Sequence, residues 1–468
     1  MSAAAPRAWR DGRPLFAVML AAALILLAAG RLRPDLTPDT PSYLVAWSWP
    51  QMLGQPRNPL FSWILDVVTL GSGNYAAVPV LQTGLFFFAA FHLFRACRRY
   101  GLSRAAALAL TLPLVLSNLV ILWNNAVHPE LAAAGCLLIA IAELPARVAK
   151  EWKAWPVARF SLLLGVAYIL RPTYLPFIFI CPGLFLVLAR LRGMPWRCGA
   201  AGAVLLAGAA PFLLVSTLRF AALGDFNIVS YGGYQMSGMA GEMLDAEIVD
   251  RLPADLQPLG RGILAGRNSL IAAGGALPTP RNSSGQRSYM SVALGYYDLL
   301  ARNYDYILYN VIGRQRGANE SWVDFNRRLQ RFAVATVLAS PARYGAWLVG
   351  AITRAVGRMT VTNAPFMAAI LGLLVAYPLW LRRRLIAREE GRTEAGNHAE
   401  PRFLDLHALI WIVALYTLGA GALQVLVTFP AARYLDAAGL LLPALPAYAL
   451  IRLAIAGGHG ARGERGEI

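Results

Sequence analysis

The stretch Leu36-Thr37-Pro38-Asp39-Thr40-Pro41-Ser42-Tyr43-Leu44 sets a carboxylate between two prolines, directly after an apolar run. A carboxylate held at a lipid surface can take the proton of a hydroxyl while its oxygen attacks, so Asp39 is a candidate general base. The structural alternative is that Asp39 caps a helix or pairs with Arg57. With Thr40 as the cap and Pro41 at the first helical position, Asp39 stands one residue outside that duty. A second acid lies in His128-Pro129-Glu130, at the head of another apolar run. There a carboxylate suits the helix dipole whatever else it does, and His128 can orient it or satisfy a local hydrogen bond. Arg57, Arg171 and Arg433 each stand beside a proline or an aromatic residue where the chain meets a membrane boundary. Such arginines can be snorkelling anchors. Arg171 stands out, because Pro172 breaks the helix and frees carbonyls that need protein or a cavity around them.

The elements that must position these residues follow from composition. The 468 residues are 57% hydrophobic and 15% charged, which points to an integral membrane protein. Uncharged runs approaching the roughly 20 residues needed to cross a hydrocarbon core imply helices rather than a barrel. The net charge of +18 is spread in short arginine clusters between apolar runs, not in one basic stripe, so nucleic acid is not a partner. Instead the clusters give topology. Arg7, Arg10 and Arg13, then Arg95, Arg98, Arg99 and Arg104, then Arg147, Lys150, Lys153 and Arg159, then Arg190, Arg192 and Arg197, then Arg382 to Arg392, make every second connection basic.

This pattern predicts an all-α polytopic protein of about ten spans: 14–30, 75–93, 105–123, 131–146, 157–170, 173–190, 199–217, 364–381, 404–428 and 437–455. Both termini then lie in the cytoplasm. The first run is kept as a span, because Arg31, Arg33 and Pro34 follow it in place of a small-residue cleavage site. The organisation is an N-terminal module (1–217) with its outer loop 31–74, an outer insert (218–363) and a C-terminal module (364–468). Cys97, Cys136, Cys181 and Cys198 fall in spans or at cytoplasmic edges, so no disulfide is expected in the outer loops. The five histidines lack zinc-type spacing and no Walker A motif occurs.

The first outer loop predicts interfacial helices over Ser42 to Trp49 and Leu60 to Leu70, with Tyr43, Trp47 and Trp49 suited to the headgroup belt. In the insert, Tyr231-Gly232-Gly233-Tyr234-Gln235-Met236-Ser237-Gly238-Met239 is a flexible stretch that would either close over a substrate like a lid or form a plain surface loop. Helix is expected over Tyr289 to Ile312 and Trp322 to Leu338. A basic surface helix over Ala342 to Met359 carries Arg343, Arg354 and Arg358, placed to meet a phosphate-bearing lipid.

The order of these motifs resembles the start of the GT-C superfamily of lipid-linked glycosyltransferases, which includes the protein O-mannosyltransferases and the aminoarabinose transferase of lipid A. The likeness rests on a basic tail, one span, Pro38-Asp39-Thr40-Pro41-Ser42-Tyr43-Leu44, Arg57-Asn58-Pro59-Leu60-Phe61, His128-Pro129-Glu130, Leu170-Arg171-Pro172 and Ala432-Arg433-Tyr434-Leu435. It covers roughly the first 220 residues and part of the last span. The resemblance implies an enzyme that moves a sugar from a polyprenyl-phosphate carrier to an acceptor hydroxyl of a glycan, lipid or protein on the outer face of a bacterial inner membrane. It implies Asp39 as the general base and Glu130 as a second acid that holds hydroxyls or orients Asp39. Arg57, Arg171 and Arg433 would meet the charge of the departing phosphate, with Tyr43, His128 and Tyr434 beside them. One displacement would invert the anomeric centre. Mannosyltransferase-like members imply no cofactor and no obligatory metal, although some oligosaccharyl transferases of the superfamily use a divalent ion. The alternatives are a flippase or transporter for a lipid-linked sugar and an O-antigen polymerase or ligase. The gathering of acids and arginines at one face favours the enzyme.

Overall fold

A computed structural model describes residues 4–37, 40–44, 51–57, 59–148, 153–272, 304, 307–389, 403–428 and 431–463. Among these the regular elements are all helices, and one isolated β-bridge joins Asp35 to Ala126. The first module comprises α1 (Ala4–Ala28), α2 (Leu60–Thr69), α3 (Val78–Tyr100), α4 (Arg104–Val115), α5 (Asn118–Trp123), α6 (Glu130–Arg147), α7 (Ala154–Leu170), α8 (Phe177–Leu191) and α9 (Cys198–Leu223). The insert holds α10 (Gly232–Met243), α11 (Ala246–Arg251), α12 (Gln257–Ala272), α13 (Trp322–Ala339) and α14 (Pro341–Thr360). The last module is α15 (Ala364–Glu389), α16 (Phe403–Leu426), α17 (Ala432–Ala438) and α18 (Ala444–Gly463).

Seven helical segments among the described residues are long and apolar enough to cross a membrane, or eight if α13 and α14, bent by 103° at their junction, count as one broken span. The chain is therefore an all-α polytopic membrane protein. The expected count of ten is not reached on length and composition, for three physical reasons. α6 carries Glu130, Glu143 and Arg147, and nearly all of it is enclosed by neighbouring helices. α7 has 17 residues, a rise of about 25 Å at 1.5 Å per residue, short of a core of about 30 Å. The final span expected from 437 starts only at Ala444, because Ala432–Ala438 forms a separate short helix. The expected third span, 105–123, is likewise two helices, split at Leu116 where Ser117 caps α5 by accepting from the Val120 N–H.

α3 packs against α4 and α6, α7 against α6 and α9, and α16 against α8 and α17. α3 and α6 run parallel, and their register separates two ends of the bundle. Gln82 near the start of α3 donates to the Ala126 carbonyl at 3.1 Å, just ahead of α6, while His92 reaches Glu143 at 3.2 Å, close to the far end of α6. Beyond His92 lies a basic end. Arg98 pairs with Asp11 at 2.9 Å, Arg192 stacks on Tyr100, and Asp405 of α16 accepts from the Ser103 N–H at 2.9 Å. Gln82 and Tyr100 are 18 residues apart in one helix, so the two ends lie about 27 Å apart. All four cysteines are free thiols.

The insert has its own apolar core, built from Tyr234, Met239, Ile263, Leu308, Phe325 and Phe332 among others. The stretch expected to be a flexible lid is a helix, α10, laid tightly on α13. Its glycines serve contact rather than freedom: a Cβ on Gly238 would press on the Tyr304 ring, and one on Gly241 would meet Ile307 at 2.7 Å. Of the helix expected over 289–312, only Tyr304 and 307–312 are described, and Ile307–Val311 winds as a π-turn. Thr40 does not cap a helix either. It opens a 3-10 turn (Thr40–Tyr43), and its hydroxyl donates to the Val127 carbonyl at 3.2 Å. The expected helix over 42–49 runs into residues outside those described, whereas α2 is found as expected.

Glu242 of α10 is partly buried in the insert, where one oxygen accepts from Trp347 Nε1 at 3.0 Å. Burial pushes its carboxyl up from 4.5 to about 8, against the lowering effects of the Trp347 bond, Arg267 and Arg354. A carboxyl with a raised folded-state pKa destabilises the fold as pH rises from the unfolded value to the folded one. The stability of the insert should therefore fall between about pH 4.5 and 8, and Glu242→Gln should flatten that slope. Thermal melting of both proteins across this range checks it; an unchanged slope would refute the assignment.

The 342–359 segment forms a helix as expected, with Arg343 exposed and its other two arginines turned toward protein. Arg343 pairs with Asp245 of the insert, Arg354 is buried, and Arg358 forks onto Asp436 at 2.8 and 3.1 Å. The exposed face carries Val349, Ile352 and Val356, an apolar surface suited to lipid tails. Asp436 is a buried clasp: besides Arg358 it accepts from Trp123 Nε1 at 2.9 Å and Asn118 Nδ2 at 3.2 Å. Removing one partner of a buried, multiply bonded charge costs about 3–5 kcal/mol. Asp436→Ala is accordingly expected to lower the melting point markedly, with Arg358→Met adding little to it; strict additivity of the two would argue against the clasp.

Candidate functional site

The end of the bundle opposite the basic one gathers almost every site residue expected from sequence. The backbone delivers them. Arg171 lies before Pro172, where ring crowding forces extended geometry (φ −138°, ψ 94°), so α7 ends there and a 3-10 turn carries the chain to α8. Pro129 starts α6 and sets Glu130 in its first turn. Arg433 and Tyr434 open α17. The first outer loop is pinned alongside: the Asp35 N–H donates to the Asn125 carbonyl at 2.8 Å, and the Val127 N–H to the Asp35 carbonyl at 3.0 Å.

Glu130 forms the centre. One of its oxygens lies 3.1 Å from Arg171 Nη1 and 3.2 Å from Arg433 Nε, and the other lies 2.5 Å from His128 Nδ1. Glu130 and His128 are almost wholly buried. The Arg171 and Arg433 contacts are close ion pairs, and His128 lies against the other oxygen. Arg171 also lies over the Tyr434 ring at 4.2 Å and Arg433 over the same ring at 5.0 Å. One aromatic face thus sits between two guanidinium groups, a favourable contact when water is excluded.

In front of this cluster is a cavity of about 290 Å³. Arg57, Arg171, Tyr43, Tyr231, Tyr434 and Gln424 contribute to its polar wall together with Thr173, Asn227, Gln235 and Thr428, and residues such as Phe61, Leu175, Phe212, Leu423 and Val427 to its apolar wall. Arg57 bridges the first loop to the insert, its guanidinium 5.1 Å from the Tyr43 ring and 5.0 Å from the Tyr231 ring. Burial pushes the Tyr43 phenol up to about 12 despite the opposing pull of Arg57, so it is a neutral donor at ordinary pH.

Arg171 and Arg433 converge on the Glu130 carboxylate, and Arg57 and Arg171 border a mainly apolar space. That combination suits an amphiphile with an anionic head.

Tyr43, Arg57, Arg171 and Tyr434 line the cavity. Glu130, His128 and Arg433 do not: Glu130 stands behind Arg171 as its counter-ion, not at the cavity surface. Asp39 lies outside the described residues, between Thr37 and Thr40, which are described and touch each other through their hydroxyls at 3.1 Å. Sequence reasoning passed over Gln424 and Phe212. For Gln424 a signal existed, since an amide in the middle of an apolar span has to find a use.

Compared with protein-family models, curated proteins and solved structures, the chain matches none.

Proposed function

We propose that this protein is a membrane glycosyltransferase of GT-C type that moves a sugar from a polyprenyl-phosphate carrier to an acceptor hydroxyl, with Asp39 as general base. The observation that carries the proposal is the cavity itself: an apolar space large enough for isoprenoid and sugar groups, bordered by Arg57 and Arg171 and backed by Arg433. In this reading the acceptor O–H gives its proton to Asp39 as the oxygen bonds to the anomeric carbon. The bond from that carbon to the phosphate oxygen breaks on the opposite side, with inversion. The electron pair leaves on the polyprenyl phosphate, whose charge meets preorganised guanidinium groups in a site of low dielectric. Glu130 holds Arg171 and Arg433 in place, and no metal enters the scheme.

The loop geometry supports the base. The described residues flanking Asp39 are pinned to the segment before Glu130, and Tyr43 lines the cavity. In this reading α6, α7 and α18 cross the membrane with the seven longer segments. Ten crossings set both termini in the cytoplasm of a bacterial cell and the cavity at the outer face of its inner membrane. The test is transfer of a labelled sugar from a polyprenyl-phosphate donor to native membrane acceptors by the purified protein. Time-dependent labelling of an acceptor supports an enzyme. Passage of the donor across vesicles without labelling would overturn that and favour a transporter.

A further inference from the structure

We infer that Gln424 is a headgroup-reading residue of this cavity, donating a hydrogen bond from its amide to an oxygen of the bound lipid phosphate; the inference rests on the proposed anionic-amphiphile site. Gln424 lies near the end of α16, is only 1% exposed, and contributes to the cavity wall together with Leu423, Val427 and Thr428 of the same face. Its Oε1 is engaged by the Thr428 hydroxyl at 3.1 Å. Among the described residues its Nε2 is buried without a hydrogen-bond partner.

A buried amide donor left unmade is a liability that folded proteins seldom keep without a use. The Thr428 contact gives the amide its orientation, oxygen to the hydroxyl and NH2 away from it. Around the same space the charged groups are guanidinium cations, while Thr173, Asn227, Gln235 and Thr428 add groups that both donate and accept, so the unmade Gln424 donor calls for an acceptor oxygen on a ligand that the arginines also attract. A neutral amide adds what the arginines lack: it rewards an oxygen at one fixed position rather than negative charge in general. Gln424 would therefore separate a phosphate head from other anions of similar charge.

The test uses the full-length protein in detergent, with farnesyl phosphate and farnesyl carboxylate as probes and binding read by tryptophan fluorescence. A hydrogen bond to a charged group corresponds to roughly ten- to hundredfold in affinity. Gln424→Leu should lose farnesyl phosphate binding by about that factor while binding the carboxylate nearly as before. Gln424→Glu, isosteric but an acceptor with negative charge, should lose more still. If Gln424→Glu binds farnesyl phosphate as well as wild type, the donor role is overturned while the lipid-phosphate site stands. If wild type binds neither probe, the site reading and this inference fall together. Melting curves of both variants verify folding, and Gln424→Asn, which keeps the amide on a shorter arm, should bind better than Gln424→Leu; the reverse order would also overturn it.

Discussion

Asp39→Asn protein is expected to lose sugar transfer by about 10²–10⁴-fold while still binding a lipid-phosphate donor. Asparagine keeps the shape and much of the hydrogen bonding of aspartate but cannot take a proton, so the substitution isolates the base. An acceptor hydroxyl is a poor nucleophile until its proton has somewhere to go, and a positioned carboxylate supplies that. Arg57, Arg171 and Arg433 are untouched, so donor affinity, set by phosphate contacts, should stay near the wild-type value. Transfer assays alongside donor binding separate the two quantities. Near-normal transfer would reduce Asp39 to a structural residue of its loop and leave the scheme without its base. Loss of both transfer and binding would show that the loop, not the proton acceptor, had been damaged.

The second large effect belongs to Arg171, which lines the cavity, pairs with Glu130 at 3.1 Å and lies over Tyr434 at 4.2 Å. Arg171→Met should weaken lipid-phosphate binding by about ten- to hundredfold, the scale of one charge-assisted hydrogen bond in a dry site. It should also destabilise the protein, because Glu130 keeps only Arg433 and His128 as partners; the loss should lie at the lower end of the roughly 3–5 kcal/mol seen when a buried pair is broken. Arg171→Lys restores charge but not the planar fork or the ring contact, so it should recover binding only in part. The double variant Arg171→Met with Glu130→Gln removes both charges. It should regain stability without regaining binding, which tells a ligand-binding arginine from a merely structural one. Recovery of binding in the double variant would assign the effect to packing alone.

The arginine positions were legible because a charge at the edge of an apolar run is costly and therefore conspicuous. Arg171, Arg433, His128 and Glu130 were each visible from one local feature: a proline, an aromatic neighbour or the start of an apolar stretch. Their convergence was not visible. Glu130 and Arg433 are 303 positions apart in the chain, and nothing local in either segment records the contact at 3.2 Å. The lid expectation failed for a related reason. Gly233 and Gly238 mean freedom in an isolated stretch but close approach once α13 and Tyr304 press on α10. The acids that engage Arg343 and Arg358 were equally out of reach of local pattern, since Asp245 and Asp436 lie on other segments.

What the amino-acid sequence determined by itself is the solvent. Apolar runs close to the thickness of a bilayer, broken by arginine clusters and prolines, oblige the chain to be helical and polytopic, because lipid offers no partner to an unpaired peptide group. It also determined where charge enters that environment. Tertiary structure alone decided what the charges do: that Glu130 stands behind Arg171 as a counter-ion, that Arg57 joins the first loop to the insert, and that Gln424 faces a cavity and not a neighbouring helix. The reason is the range of the forces. The cost of exposing or burying a group is paid residue by residue and can be read along the chain, whereas an ion contact of about 3 Å depends on the packing of whole helices that hundreds of residues separate.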